Sequence, residues 1–314
     1  MLESTLLPFL ESLGSDPQLS PLNSEHDENF LARFSNRNSI VVKLMGVQRY
    51  HSSIDLILEC MKLSGHIHLV HPSPVILGDH FCVAYEYIAT GCILSSLSVP
   101  LCSSLVFRIG AAVGELDNRL ATSRHNEPRK HRLEWHFANF PSLTRTNLQY
   151  VSSARQVIEK ISFIFSSVPF DKLPHQICHN DCNDDNIIVS NDSVVIIDYC
   201  DVDYVPRVCD IAILCTYLTG VFLRHSGDAE RIVEQVMKPA IAGFRSCNNS
   251  LTSTEVSLIP LLTISRAAMS VLVQSKNMQV NPDNAAYLGC SMKSNLQLLN
   301  FVESIGVEKF INSL

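Results

Sequence analysis

The 314-residue sequence has no excess of basic residues: 24 Lys and Arg stand against 31 Asp and Glu, a formal net charge of −7 at neutral pH. A surface that grips nucleic acid normally declares itself as a basic face, so no nucleic-acid partner is expected. An anionic ligand, if there is one, has to be held by metal ions and a few local cations. There is no pair of C-x-x-C motifs among the eleven cysteines, which argues against a zinc centre. Cys178 and Cys182 bracket His179, but no neighbour completes a four-ligand set. An odd number of cysteines in a long chain reads instead as reduced, mostly buried thiols of a cytoplasmic protein. The opening run MLESTLLPFLESLGSDPQ lacks a basic start and is interrupted by acids, so it is not read as a signal peptide. The longest apolar stretch, from Ile211 to Leu223, is too short to span a bilayer, and no membrane partner is expected. Internal repeats and low-complexity tracts are absent as well.

An apolar fraction of 46% is enough for a large core, and the patterning falls into two regions. In the first, FLARF (Phe30 to Phe34) and SIVVKLM (Ser39 to Met45) flank the turn-like SNRN and suggest a hairpin. SSIDLILECMKLSG follows as a helix, with Ile54, Ile57, Leu58 and Met61 for one face and Gly65 at its end. Pro74 to Leu77 and Phe81 to Tyr87 are two more strand candidates. Beyond them the chain turns helical. Leu105, Ile109, Val113, Leu116 and Leu120 form an amphipathic stripe, Thr122 to Arg132 reads as an exposed loop, and Tyr150 to Val168 as another helix. Helices resume from Cys209, with TSTE (Thr252 to Glu255) as a capping box. Between these helices, Ile187 to Val189 and Val194 to Ile197 are short strands joined by SNDS, the one clear hairpin signal of the second half. The expected fold is α+β: a small mixed-sheet amino-terminal lobe, residues 1–90, and a larger, mainly helical carboxy-terminal lobe, residues 91–314, carrying one hairpin.

The hairpin is preceded by CHNDCNDDNIIV, Cys178 to Val189, crowded with oxygen-bearing side chains. Asn and Asp are turn formers, so a purely structural reversal is one reading. The other is a metal–phosphate site. Asn186 at the start of one strand and Asp198 at the end of the other come out on the same side, and Mg²⁺ takes only one or two protein oxygens besides phosphate and water. Asp181, on the same loop, is then placed to accept a proton from an attacking hydroxyl. Lys43 lies mid-strand among Val41, Val42 and Leu44, a costly place for an unpartnered charge, unless it points to solvent from a half-exposed strand.

HNDCNDDNIIV…VVIIDYCD resembles the H-G-D-x-x-x-x-N…I-D-F-G-D signature of the aminoglycoside phosphotransferase and choline kinase superfamily, relatives of protein kinases. LNSEHDENFLARF, IVVKL, YEYIATG, HRLEWHFANFP and LLTISRAAMSVL followed by NPDNAAYL extend the likeness over nearly the whole chain, nearest to the hydroxylysine kinase group. The resemblance implies a bilobal protein-kinase-like fold and a small-molecule kinase using Mg²⁺ and GTP or ATP. The implied acceptor is a hydroxyamine, 5-hydroxy-L-lysine, with choline, homoserine or an aminoglycoside as alternatives; oligomeric state stays open. It makes Asp181 the catalytic base, Asn186 and Asp198 the metal ligands, and Lys43 the phosphate contact paired with Glu59. Ser24, Asp27 and Asn29 would cover the phosphates in place of the missing G-x-G-x-x-G, while Glu86, Tyr87 and Ile88 would meet the base through main-chain atoms. His179 would orient the loop and Asp210 anchor it to a helix. Asp201 would face the metal or a substrate amine; Trp135 and Arg266 would meet the substrate's apolar stem and carboxylate, with core packing or a surface ion pair as equal alternatives. Three positions depart from the pattern. Asn180 and Cys200 replace glycines, and His136 stands where an acid often follows the tryptophan. Asn tolerates positive φ. Cys200 does not, so a strained metal loop, and with it a nucleotide-binding pseudokinase, is the second expectation.

Overall fold

Short β-branched runs broken by Gly, Asn and Ser dominate residues 18–86, and they build one antiparallel sheet. This is seen in a computed structural model that describes residues 2–22, 24, 27–125, 127–128, 133–280 and 292–314. Contacts divide the chain into two units, Met1–Gly91 and Cys92–Leu314. The first begins with helix α1 (Leu2–Leu13), followed by β1 (Gln18–Leu22), β2 (Glu28–Arg33) and β3 (Ile40–Gly46). A single turn α2 (Val47–Tyr50), helix α3 (Ile54–Ser64), β4 (Val75–Leu77) and β5 (His80–Glu86) complete it. The sheet order is β1-β2-β3-β5-β4. β1 has little alternation and contains Pro21, so the sequence does not announce it; as an edge strand it tolerates the proline.

β3 is buried from Ile40 to Met45 and pairs on both sides. Ile40, Val42 and Leu44 join Leu6 and Leu10 of α1, Ala32, Cys82 and Ala84 in one cluster. Period-2 alternation therefore sends Val41, Lys43 and Met45 to the other face. Lys43 is buried, so the solvent-pointing alternative is excluded. α3 buries Ile54, Ile57, Leu58 and Met61 as its pattern predicts, and Gly65 ends it at φ 73°.

The second unit opens with β6 (Cys92–Ile93), α4 (Ser103–Leu120), α5 (Phe140–Asn147) and α6 (Arg155–Phe165). β7 (His175–Cys178), β8 (Ile187–Val189), β9 (Val194–Ile196) and β10 (Asp203–Pro206) come next. α7 (Cys209–Ser226), α8 (Lys238–Cys247), α9 (Ser253–Val280), α10 (Met292–Ile305) and α11 (Val307–Ile311) close the chain. The β8–β9 hairpin forms where expected, with Ile187 opposite Ile196. A second antiparallel pair, β7 with β10, was not legible because its strands lie about 25 residues apart in sequence. On α4 the stripe holds at Ile109, Val113, Leu116 and Leu120, but Val106 rather than Leu105 fills the first turn of the core. The helix expected from Tyr150 starts only at Arg155, because Ala154 adopts φ 62° and interrupts the helical path. In the expected Thr122–Arg132 loop Ser123 is buried, while residues 126 and 129–132 lie outside the described residues, as does the carboxy-terminal NPDNAAYL.

The Thr252–Glu255 capping box is present: Glu255 N–H donates to Thr252 Oγ1 at 3.2 Å and Thr252 N–H to Glu255 Oε2 at 2.9 Å. It starts α9, which is long and apolar enough by length and composition to cross a membrane, but 83% of its most apolar window is buried inside the protein. α9 is a core helix. Ile211 to Leu223 likewise lies in the buried α7.

α4 and α8 cross with backbone against backbone. A Cβ on Gly110 would lie 2.1 Å from Ala240 O, one on Gly114 2.4 Å from Phe244 O, and one on Gly243 2.0 Å from Phe107 O. Three main-chain surfaces leave no room for even a methyl group. Gly243→Ala is therefore expected to lower unfolding free energy by about 1–3 kcal/mol, measured by denaturant titration, since the clashing atoms are main chain and cannot rotate away.

Candidate active site

The loop that follows β7 is suspended from one carboxylate. Asp210, fully buried in the first turn of α7, accepts the His179 N–H on Oδ2 at 2.7 Å and the Asn180 N–H on Oδ1 at 2.6 Å. This is the anchor to a helix that the sequence suggested. Asn180 takes φ 64°, the left-handed conformation for which a glycine would otherwise be chosen, and donates from Nδ2 to Asp201 O at 3.3 Å. His179 is buried between two main-chain groups: Nδ1 accepts the Asp181 N–H at 3.3 Å, and Nε2 lies 3.0 Å from Ile197 O. That pattern requires the neutral tautomer with the proton on Nε2. Burial depresses the His179 pKa, outweighing the acids Asp210, Asp198 and Asp201 around it. With both ring nitrogens spent, His179 cannot join Cys178 and Cys182 on zinc, and burial pushes both thiols well above their ordinary range.

Asp181 itself is surrounded by donors. Its Oδ2 accepts from Asn183 Nδ2 and Asn186 Nδ2, both at 2.8 Å, and Oδ1 lies 3.1 Å from Arg266 Nη2. These three donors fix the orientation of the carboxylate. Asn186 also reaches Asp181 O at 3.0 Å, and its own carbonyl accepts Ile197 N–H at 2.9 Å, directly before Asp198. Asn186 and Asp198 thus sit at the same open end of the hairpin, as expected. Between them, Asn183 Oδ1 accepts from the amides of Asp185 and Asn186. Asp184 binds Arg224 of α7 at 2.6 Å, a tie that sequence reading missed because the partners are 40 residues apart.

The strain expected at Cys200 is found one step earlier. Cys200 is not among the residues with positive φ; Asp198 is, at 62°. Its Oδ1 accepts the Cys200 N–H at 3.3 Å, a local turn that makes the left-handed conformation tolerable for a short polar side chain. The observation that favoured a disabled metal loop is removed.

Arg266 is also reassigned. It is buried on α9, donates from Nη1 to Trp135 O at 2.9 Å, and its guanidinium lies 4.8 Å from the centre of the Trp135 ring. It is engaged with Asp181, and Trp135 is its platform, the packing and ion-pair alternatives together. Asp201 is half-buried, accepts from Asn180 through its carbonyl, and its charge acts on His179 and Arg266.

In the first unit, Lys43 Nζ lies 3.2 Å from Asp27 Oδ2, and both side chains are buried. Asp27 is a partner of Lys43 that the sequence reading did not give it, and it also accepts from Tyr50 Oη at 3.2 Å. Glu59 is half-buried on α3. Ser24 Oγ accepts the Asp27 N–H at 3.3 Å and so shapes the turn that delivers Asp27. Asn29 stands opposite Lys43 in the β2–β3 register, with its buried Oδ1 lacking a donor. The amides of Glu86 and Tyr87 are already given to His68 O and Ser39 O, so a main-chain N–H for a base narrows to Ile88.

The sequence pattern of the phosphotransferase enzyme family matches residues 18–236. Hydroxylysine kinases of Bos taurus and Mus musculus are 25% and 26% identical to this chain over 225 residues, 66% of its length. The matched part is 57% of those relatives' own length. Among solved structures, an amicoumacin kinase in complex with AMP-PNP, Ca²⁺ and Ami superposes with a TM-score of 0.64 at 17% identity, covering 94% of this chain and 93% of that one. A choline kinase from Streptococcus pneumoniae gives 0.58 at 16% identity, covering 95% and 99%. The fold is therefore the protein-kinase-like one.

His179 is expected to remain neutral, protonated on Nε2, as pH falls past the ordinary histidine range. Because its folded pKa is depressed, its contribution to stability is complete above the unfolded value and is lost as pH falls below it. Nitrogen-15 NMR of the imidazole checks both statements; an imidazolium at pH 6.5 would contradict them.

Proposed function

Because this chain belongs to the phosphotransferase enzyme family, we propose that it is a small-molecule kinase that moves the γ-phosphoryl group of GTP or ATP to the hydroxyl of a hydroxyamine, with 5-hydroxy-L-lysine as the acceptor. The observation that carries the reading is Asp181: a carboxylate oriented by three donors, on a loop held at both ends. The likeness to two hydroxylysine kinases supports the acceptor. The alternative acceptors are choline, homoserine and aminoglycosides. Buried thiols such as Cys82 and Cys215, both pushed up to about 12 by burial, suit a reducing, cytoplasmic setting.

Asp181 takes the acceptor proton, and its ion pair with Arg266 bears on how. Transfer of a phosphoryl group proceeds through a loose transition state in which the attacking oxygen needs alignment more than a strong base. Arg266, Asn183 and Asn186 fix the carboxylate's orientation, which is the property the reaction needs most. Asn186 and Asp198 would hold Mg²⁺. The donor chemistry fits: Asn186 spends its amide nitrogen on Asp181, which leaves Oδ1, a hard oxygen, for a cation, and Asp198 adds a carboxylate at the same hairpin end. The bound metal would neutralise phosphate charge. Lys43, held in a buried pair with Asp27, would bind phosphate oxygens.

The test is transfer of labelled phosphate from GTP or ATP, with Mg²⁺, to a panel of hydroxyamines. Hydroxylysine is expected to be labelled, with kcat falling by about 10²–10⁴-fold in Asp181→Asn as for the loss of a general base. Chelation of the metal should abolish transfer. Nucleotide binding without transfer to any member of the panel would favour the pseudokinase and sink this reading.

A further inference from the structure

Asp117 is a buried acid that the site described so far does not use. It lies in the last turn of α4 with no accessible surface, and neither carboxyl oxygen has a hydrogen-bond partner of the ordinary donor types. One of its oxygens, Cys178 Sγ and an oxygen of Asp210 all lie within 4.8 Å of one another. Asp210 is the carboxylate that holds the His179 and Asn180 amides. Two buried carboxylates side by side cannot both be ionised without a counter-charge. The other titratable groups facing the pair are the buried His179 imidazole, whose pKa burial depresses, and three thiols, Cys178 of β7, Cys182 of the loop and Cys209 of α7, all kept neutral by burial.

We propose that Asp117 keeps its proton and donates it in a hydrogen bond to Asp210, so that the two acids share one negative charge and together set the position of the loop bearing Asp181. The geometry decides which member is neutral. Asp210 accepts two main-chain N–H groups and sits in the first turn of α7, where the helix dipole favours an anion. Asp117 sits in the last turn of α4, where the dipole disfavours one, and no donor reaches it. Burial and the charge of Asp210 accordingly raise the Asp117 carboxyl well above its usual range. A proton on Asp117 also explains how an acid with no donor of its own is tolerated: it is itself the donor. Asp117 touches no reacting atom, so it is a positioning residue. It acts on His179–Asn180 through Asp210, and on Asp181 through them.

The catalytic consequence rests on the kinase reading; the protonation does not, and the experiment separates them. Infrared difference spectroscopy at pH 7 should show the carbonyl band of a protonated carboxyl, absent in Asp117→Asn; its absence from the unaltered protein overturns the proposal. The raised folded pKa makes the unfolded chain ionise first, so stability linked to Asp117 declines as pH rises above the ordinary carboxylate value. Asp117→Asn, which keeps a donor for Asp210, should therefore gain in stability over the unaltered protein as pH goes from 5 to 8, and a constant difference counts against the proton. In Asp117→Leu, the His179 and Asn180 amide protons should exchange about tenfold faster and kcat should fall about tenfold with nucleotide KM nearly unchanged, both restored in Asp117→Asn. Unchanged amide exchange in the Leu variant would refute the positioning role even if no phosphoryl acceptor were ever found. A stoichiometric metal ion in the purified protein, lost on Asp117→Asn, would replace the shared proton with a cation site.

Discussion

A single carboxylate decides whether the loop between β7 and β8 has a shape. The segment from His179 to Asn186 contains no regular structure to satisfy its main-chain groups, and buried amides without acceptors are costly. Asp210 supplies acceptors to two successive N–H groups, and with Asn180 in the left-handed conformation the chain is turned so that the next residue, Asp181, leaves the core. Everything downstream follows from that turn. His179 is locked between Asp181 N and Ile197 O, Asn183 and Asn186 fold back onto Asp181, and the hairpin brings Asp198 to the same end. The loop carries its order in side-chain-to-main-chain bonds. Substitutions of small polar residues here cost more than their surface exposure suggests.

The second constraint is electrostatic economy in a chain with few cations to spare. Arg224, Arg207 and Arg266 are each committed to one acid, Asp184, Glu255 and Asp181 respectively. All three acids lie in or beside buried structure, where an unpartnered charge is expensive. In the first unit Lys43 has Asp27. Spending each of these cations on one acid fits a net charge of −7.

Much of this was readable beforehand because it is local. The β8–β9 hairpin, the α3 and α4 faces, the Thr252–Glu255 capping box and the polar loop each reside in a few consecutive residues whose periodicity or spacing has one physical meaning. What escaped is non-local or silent. The Lys43–Asp27 ion pair joins residues 16 apart, and only the Asp27 N–H held on Ser24 Oγ shows why this acid arrives there. Arg266 is a basic residue in an apolar helix, and nothing in its neighbours names Asp181, 85 residues earlier, as its partner. The glycines of α4 and α8 leave no periodic mark, because their contribution is the absence of a side chain. The strain forecast at Cys200 went to Asp198 because φ along a turn depends on which residue supplies the acceptor that closes it, and Asp198 has one.

The Thr252–Glu255 cap has a reach beyond the end of its helix. Glu255 is at once the capping acid of α9 and the bidentate partner of Arg207, just past β10, with both bonds at 2.9 Å. It therefore fixes the angular phase of α9 as well as its starting point. Arg266 follows eleven residues later, about three turns up the helix, and each residue of slip would rotate it by about 100° away from Asp181. The clamp at the foot of α9 works like the key on a shaft: a bond made at one end of the helix determines the azimuth at which the guanidinium meets the carboxylate.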